Sequence, residues 1–193
     1  METGAHLHHR MSLHIHWLLA YGGICNLMKR SLVLIFMGVA GSGKTTVAKL
    51  FAEETGAVFY EGDDFHPPSN IAKMRQGIPL TDEHRAPWLR ALRERILNSL
   101  TKDGLVAFTC SALKAKYREE LQGNDPRVRF VFLTGPPGLI EERLKNRIGH
   151  FMSPTLLADQ LATLEPPADA LTFSCENTPE EIVRELIQIL DGD

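Results

Sequence analysis

Cysteine is scarce in this chain. Three residues, Cys25, Cys110 and Cys175, stand far apart among 193. An odd count with no paired spacing excludes a disulfide framework and a cysteine-based zinc site, and it fits a reducing, cytoplasmic compartment. A dominant charge is missing too. Lys and Arg total 21 against 24 Asp and Glu, a net charge of −3, so no global basic field draws the chain to nucleic acid or to an anionic membrane. No apolar run reaches the length of a membrane span. There is no internal repeat and no low-complexity linker. What is present is ordinary for a folded protein: 44% hydrophobic and 23% charged residues, in a length that suits one α/β domain with a substantial core.

The amino-terminal stretch does not match the rest. Residues 1–27 carry His6, His8, His9, His14 and His16 out of eight histidines in all. A metal-binding tract is one reading. A signal peptide is another, with Ile15 to Ile24 as its apolar region, but His16, Tyr21, Gly22 and Gly23 interrupt that region and no clean cleavage site follows. The third reading is an extension, disordered or ahead of the functional start, with Met28-Lys29-Arg30 as the natural beginning. We take residues 1–27 as that extension and 28–193 as the folded domain.

The informative stretch is Ser31 to Leu50. Ser31 to Met37 is mostly branched and aromatic apolar residues and reads as a strand buried on both faces. Gly38-Val39-Ala40-Gly41-Ser42-Gly43-Lys44-Thr45 then fits G-x-x-x-x-G-K-[ST], and Thr46 to Glu54 reads as a helix. Glycines let such a loop curl so that its N–H groups face an anion, and the new helix adds the positive end of its dipole. Lys44 is suited to the outer phosphates, and the Thr45 hydroxyl to helping hold Mg²⁺. This pattern predicts nucleoside triphosphate binding by residues 38–45 together with Thr46.

Strand and helix patterns then alternate. Strands are expected at Ala57–Tyr60, Leu105–Cys110, Val128–Leu133 and Ala170–Ser174, and Gly56 supplies a stop for the first helix. Helices are expected at about Ser69–Gly77, from Pro87 to about Leu100, at Lys114–Gln122, Pro137–Asn146, from Ser153-Pro154 to about Leu164, and after the capping box Thr178-Pro179-Glu180-Glu181. Thr81 to Arg85 reads as a charged turn before Pro87. Five short apolar strands with helical crossovers predict a doubly wound, three-layer α/β fold with a parallel sheet.

Substrate groups gather at the carboxyl ends of such strands. Asp63, Asp64 and His66 follow the second strand, and Lys114 follows the third. Arg143, Lys145, Arg147 and His150 surround a glycine break, which suits a mobile lid over phosphates at about residues 143–154. No Asn-Lys-x-Asp guanine-reading motif occurs. The third strand ends in Cys110 and Ser111 rather than an acidic residue, so magnesium would lean on Thr45, phosphate oxygens and water, with Asp63 or Asp64.

Across 28–193 the chain resembles the gluconokinase family of small P-loop kinases, often called thermoresistant gluconokinase. The matching blocks are GVAGSGKTT at 38–46, EGDDFHPPSNIAKMRQGIPLTDEHRAPWL at 61–89, CSALKAKYRE at 110–119, RLKNRIGHF at 143–151 and LATLEPP at 161–167. The resemblance implies ATP-dependent phosphorylation of D-gluconate to 6-phosphogluconate, feeding the pentose phosphate route. It also implies strand order 2-3-1-4-5, a lid, and often a homodimer. Under it, Lys44, Asp63 and Arg147 are the catalytic set, with Asp63 orienting the primary hydroxyl and taking its proton. Arg143 and Arg147 join the loop in holding nucleotide. His66, Lys73, Arg85, Lys114 and His150 surround the sugar acid, with Arg85 or Lys114 meeting its carboxylate. Thr45 and Asp63 are the metal-side residues. Rival readings are a kinase of the same scaffold with a shikimate-like or nucleotide acceptor, and a nucleotide-binding module without catalysis, which would bind ATP but release no ADP with gluconate.

Overall fold

A strand as apolar as β1 (Leu32–Met37) is stable only where both faces of its sheet are covered, and five of its six residues are buried. The computed structural model describes residues 30–102, 104–146 and 154–192, with the extension 1–27 outside that range. β1 lies at the centre of a five-stranded sheet, flanked by β3 (Leu105–Thr109) and β4 (Val128–Thr134). β2 (Val58–Tyr60) and β5 (Leu171–Ser174) form the edges, and the order is β2-β3-β1-β4-β5. Every pairing is parallel, as the sequence reading expected.

Alternation along β1 divides the core. Leu34 and Phe36 face one layer, with Val47 and Phe51 of α1 (Lys44–Thr55) and Ile182, Val183, Leu186, Ile187 and Leu190 of α7 (Pro179–Gly192). Val33, Ile35 and Met37 face the other, with Trp88, Leu89, Leu92 and Ile96 of α3 (Asp82–Ser99) and Tyr117 and Leu121 of α4 (Ala115–Gln122). A third apolar cluster lies at the carboxyl end of the sheet. There Val39 and Leu113 meet Ile140 of α5 (Pro137–Lys145) and Leu157 of α6 (Pro154–Thr163). The short helix α2 (Pro68–Arg75) follows β2 through a 3₁₀ turn, Gly62–Phe65.

Helix ends follow local chemistry. Gly56 closes α1 in the left-handed region, φ 73°. At α7, Glu181 N–H donates to the Thr178 hydroxyl at 3.2 Å and Thr178 N–H donates to the Glu181 carboxylate at 2.8 Å, the expected capping box.

One boundary differs from expectation. The charged segment Thr81 to Arg85 is not a turn ahead of Pro87: α3 begins at Asp82 and Pro87 lies inside it. The cause is a capping box in which His84 takes the place usually held by Glu or Gln. His84 N–H donates to the Thr81 hydroxyl at 3.3 Å, and Thr81 N–H donates to His84 Nδ1 at 3.2 Å. A proline within a helix costs on the order of 3 kcal/mol. Burial of Trp88, Leu89, Leu92 and Ile96 just beyond it, at roughly 1.5–3 kcal/mol per large apolar side chain, outweighs that. Thr81→Ala should therefore lower stability by about 1 kcal/mol. The urea midpoint measures this, and an unchanged midpoint would show that the box does not hold the start of α3.

Candidate active site

The loop after β1 is forced into its shape. Gly38 sits at φ 137°, and a Cβ there would lie 2.4 Å from the Leu133 carbonyl oxygen of β4. Gly43 is the left-handed N-cap of α1 with no side-chain cap hydrogen bond, so the helix presents its first amides to the cleft. Lys44 Nζ donates to the Val39 carbonyl at 2.9 Å. Ala40 to Thr46 line a cleft of about 1200 Å³ at the carboxyl ends of the strands.

The strand β2 delivers its acidic residues to the same cleft, and Gly62 makes this possible. A Cβ on Gly62 would stand 1.8 Å from the Thr109 carbonyl oxygen, so no other residue fits this crossing without displacing backbone. Its N–H donates to the Thr109 hydroxyl at 3.0 Å, and its carbonyl accepts from the buried Trp88 indole N–H at 2.7 Å. On one side of this anchor is Glu61, whose carboxylate accepts from the Thr45 hydroxyl at 2.9 Å and from the Thr109 hydroxyl. On the other side is Asp63, exposed and lining the cleft. Burial pushes the Cys110 thiol up to about 12. Lys44, Glu61 and Asp63 line the same cleft as Cys110, at the end of β3.

On the Thr45 side of the cleft the carboxylate within hydrogen-bond reach is that of Glu61, while Asp63 lines the cleft beyond it. The third strand ends in Cys110 and Ser111 with no acidic residue; an acidic residue does close β2, where Thr109 of β3 donates to the Glu61 carboxylate. Among the described residues no group of three His, Cys, Asp or Glu forms a metal cage. A hydroxyl beside a carboxylate is a hard oxygen donor pair, which fits Mg²⁺ held mainly by phosphate oxygens and water.

His66, Arg85, Trp88 and Lys114 line the same cleft. His66 stacks on Trp88, with ring centroids 4.3 Å apart and an interplanar angle of 13°. The buried Asn70 amide donates to the His84 carbonyl at 2.7 Å, and the same nitrogen lies 3.4 Å from His66 Nδ1. With a donor facing Nδ1, the neutral ring carries its proton on Nε2. Burial, and then the Arg85 charge, lower the His66 pKa from 6.5 to about 4. Lys114 Nζ is ion-paired with Asp82 at 2.9 Å, and Asp82 also accepts from Lys116 and the Tyr117 hydroxyl. These donors hold the Asp82 carboxyl well below the usual carboxylate range. Among the described residues no carboxylate pairs with Arg85, which lies 5.9 Å from the Tyr117 ring centre.

The sequence candidates thus divide. Lys44, Thr45, Thr46, Asp63, His66, Arg85, Lys114 and Arg143 line one cleft. Arg143 donates to the Cys175 carbonyl at 2.7 Å. Gly38 and Val39 shape the loop from beneath, Val39 being buried. Lys73, on α2, is not in the described lining, where Met74 takes that helix's place. Arg147 and His150 lie outside the described residues. Glu61, Asn70, Asp82, Thr109 and Gln160 belong to the site or its support and were not singled out from sequence.

A phosphate loop at the first β–α junction of a 2-3-1-4-5 sheet, facing acidic and basic side chains across one cleft, defines a small P-loop kinase. No family model matches the chain. The curated relatives do: a gluconokinase of Gluconobacter oxydans (strain 621H) is 45% identical over 158 residues, covering 80% of this chain and 89% of its own. The thermoresistant gluconokinase of Escherichia coli (strain K12) is 38% identical over 162 residues, covering 82% of this chain and 93% of its own. The crystal structure of a gluconokinase from Sinorhizobium meliloti 1021 superposes with a TM-score of 0.74 at 43% identity, covering 84% of this chain and 93% of that one. The chain belongs to the gluconokinase family.

Between pH 6.5 and about 4 the unfolded chain protonates a histidine that the native fold keeps neutral at position 66. This contribution to stability is complete above pH 6.5 and is lost as pH falls toward 4. His66→Asn should flatten that part of the urea-midpoint profile; an unaltered acid slope would assign it to other groups.

Proposed function

We propose that this protein phosphorylates D-gluconate on its primary hydroxyl, using ATP and giving 6-phosphogluconate and ADP, a product that enters the pentose phosphate pathway. The observation that carries this reading is that Lys44 and Asp63 line one cleft with Arg85, in a chain of this family. Gluconate is a polyol with one carboxylate, so it needs hydroxyl-binding groups and one cation. Arg85 meets the carboxylate, because Lys114 already has Asp82 as its counter-ion. Neutral His66 donates its Nε2–H to a substrate hydroxyl, with Trp88 as the wall behind it. Asp63 orients the primary hydroxyl and accepts its proton as the oxygen–phosphorus bond forms.

Lys44 and the first amides of α1 stabilise charge on the transferring phosphoryl group, and Arg143 secures the nucleotide. Glu61 and Thr45 are the residues suited to holding Mg²⁺, which when bound neutralises phosphate charge. Because the transition state is loose, positioning and preorganised electrostatics supply most of the acceleration. Arg147 and His150 act from the lid region in this reading. A nucleotide acceptor fits less well, since it would need a base-reading pocket where the cleft offers a cation and polar donors. A shikimate-like acceptor, also a polyhydroxy acid, is disfavoured by the relatives, which are gluconokinases at 38% and 45% identity.

Coupled ADP release with gluconate, shikimate, gluconolactone and nucleoside monophosphates tests the reading, and gluconate should be the substrate used; equal use of shikimate would overturn it. Asp63→Asn should remove most turnover while ATP binding survives, and wild-type turnover in that variant would refute its role. Glu61→Gln should raise the Mg²⁺ concentration needed for half-maximal rate by about tenfold, as for losing one charge-assisted contact; an unshifted Mg²⁺ dependence would remove Glu61 from the metal side.

A further inference from the structure

One peptide unit of the phosphate loop, Val39–Ala40, is held at both ends. Its carbonyl accepts from Lys44 Nζ at 2.9 Å and from Ser42 N–H at 3.2 Å. Its N–H donates to Gln160 Oε1 at 2.7 Å, across 120 residues of chain. Gln160 lies on α6 and lines the cleft. The contact is reinforced below by the apolar cluster that joins Val39 to Leu157, with Leu161 packed against it.

The end of α6 is tied to the acceptor side as well. Glu165 N–H donates to the Leu113 carbonyl at 2.9 Å, and its carboxylate accepts from Ala115 N–H at 2.6 Å. Leu113 and Ala115 flank Lys114. The segment from Gln160 to Glu165 therefore spans from the nucleotide half of the cleft to the acceptor half.

The geometry points to Gln160 as a positioning residue for phosphoryl transfer, one that sets the orientation of the Val39–Ala40 peptide and registers the phosphate loop against the acceptor-side loop. The concavity of an anion nest depends on the direction of its peptide planes. When Lys44 serves the triphosphate instead, Ser42 N–H still holds the carbonyl end of this plane and Gln160 its N–H end. A neutral amide suits the place. A carboxylate there would still accept from Ala40 N–H but would set a negative charge among the phosphates.

This inference rests on the nucleotide-site reading given above. Two variants in the full-length chain test it, through steady-state kinetics in both substrates and ATP titration calorimetry. Gln160→Ala loses the acceptor, and kcat/KM for ATP should fall about tenfold with the KM for gluconate little changed. Gln160→Glu keeps the acceptor, so the thermal midpoint should match wild type, while kcat/KM for ATP should fall by on the order of 10²-fold through like-charge repulsion. A purely structural role predicts the opposite for the second variant, namely rescue. Wild-type ATP kinetics in Gln160→Glu, or an equal rise in the KM for gluconate and for ATP in Gln160→Ala, would overturn the assignment. If the wild-type enzyme itself releases no ADP with gluconate, the substrate reading falls. ATP affinity in the two variants then decides the role of Gln160: the same ordering of losses supports it, and unchanged affinity in both removes it.

Discussion

The site depends on one close crossing of backbone. Gly62 meets β3 at Thr109 with no room for a Cβ, and both of its peptide groups are satisfied, one by the Thr109 hydroxyl and one by the Trp88 indole. A buried peptide group without a partner is costly, so this satisfaction holds the end of β2 against the sheet. Chain direction then does the rest. The residue before Gly62 turns its carboxylate to Thr45, and the residue after it reaches the open cleft. Trp88 serves the crossing, the core under α3 and the wall behind His66 at once.

The electrostatics follow from this arrangement. The loop's amides and Lys44 form a positive half beside an acidic edge of Glu61 and Asp63. Across the cleft Asp82 gathers Lys114, Lys116 and Tyr117, which joins α3 to α4, while among the described residues no carboxylate pairs with Arg85. Burial keeps His66 neutral, so it can donate one hydrogen bond without adding charge beside Arg85. Such a division suits a reaction in which a polyanion and a small acid must approach each other without excess positive charge between them.

Much of this was legible in the residues. The apolar run of β1, the glycine-rich loop and the helix after it are local patterns whose period and turn chemistry have one consistent reading, and the five-stranded parallel sheet followed from alternation. Asp63 and His66 were singled out because chain direction places them at a strand end, and Arg85 through the family resemblance; all three line the cleft. The start of α3 was misjudged because Pro87 is a familiar first residue of helices, while a histidine in a capping box is not. Glu61 was passed over because the search for an acidic strand end was applied to β3. Lys73 lies on a helix whose lining contact is Met74, a matter of rotation about an axis that eight residues of sequence do not settle.

By itself, then, the order of residues determined the elements, the phosphate loop and the polar groups brought to the carboxyl edge, because each rests on contacts within a dozen residues. The tertiary structure alone decided the pairings: Glu61 with Thr45 and Thr109, Lys114 with Asp82, Asn70 with His66, and Gln160 with the Ala40 amide. Those contacts join segments whose separation in sequence bears no relation to their distance in space, and only closing the sheet and packing its two helical layers brings them within reach of a hydrogen bond.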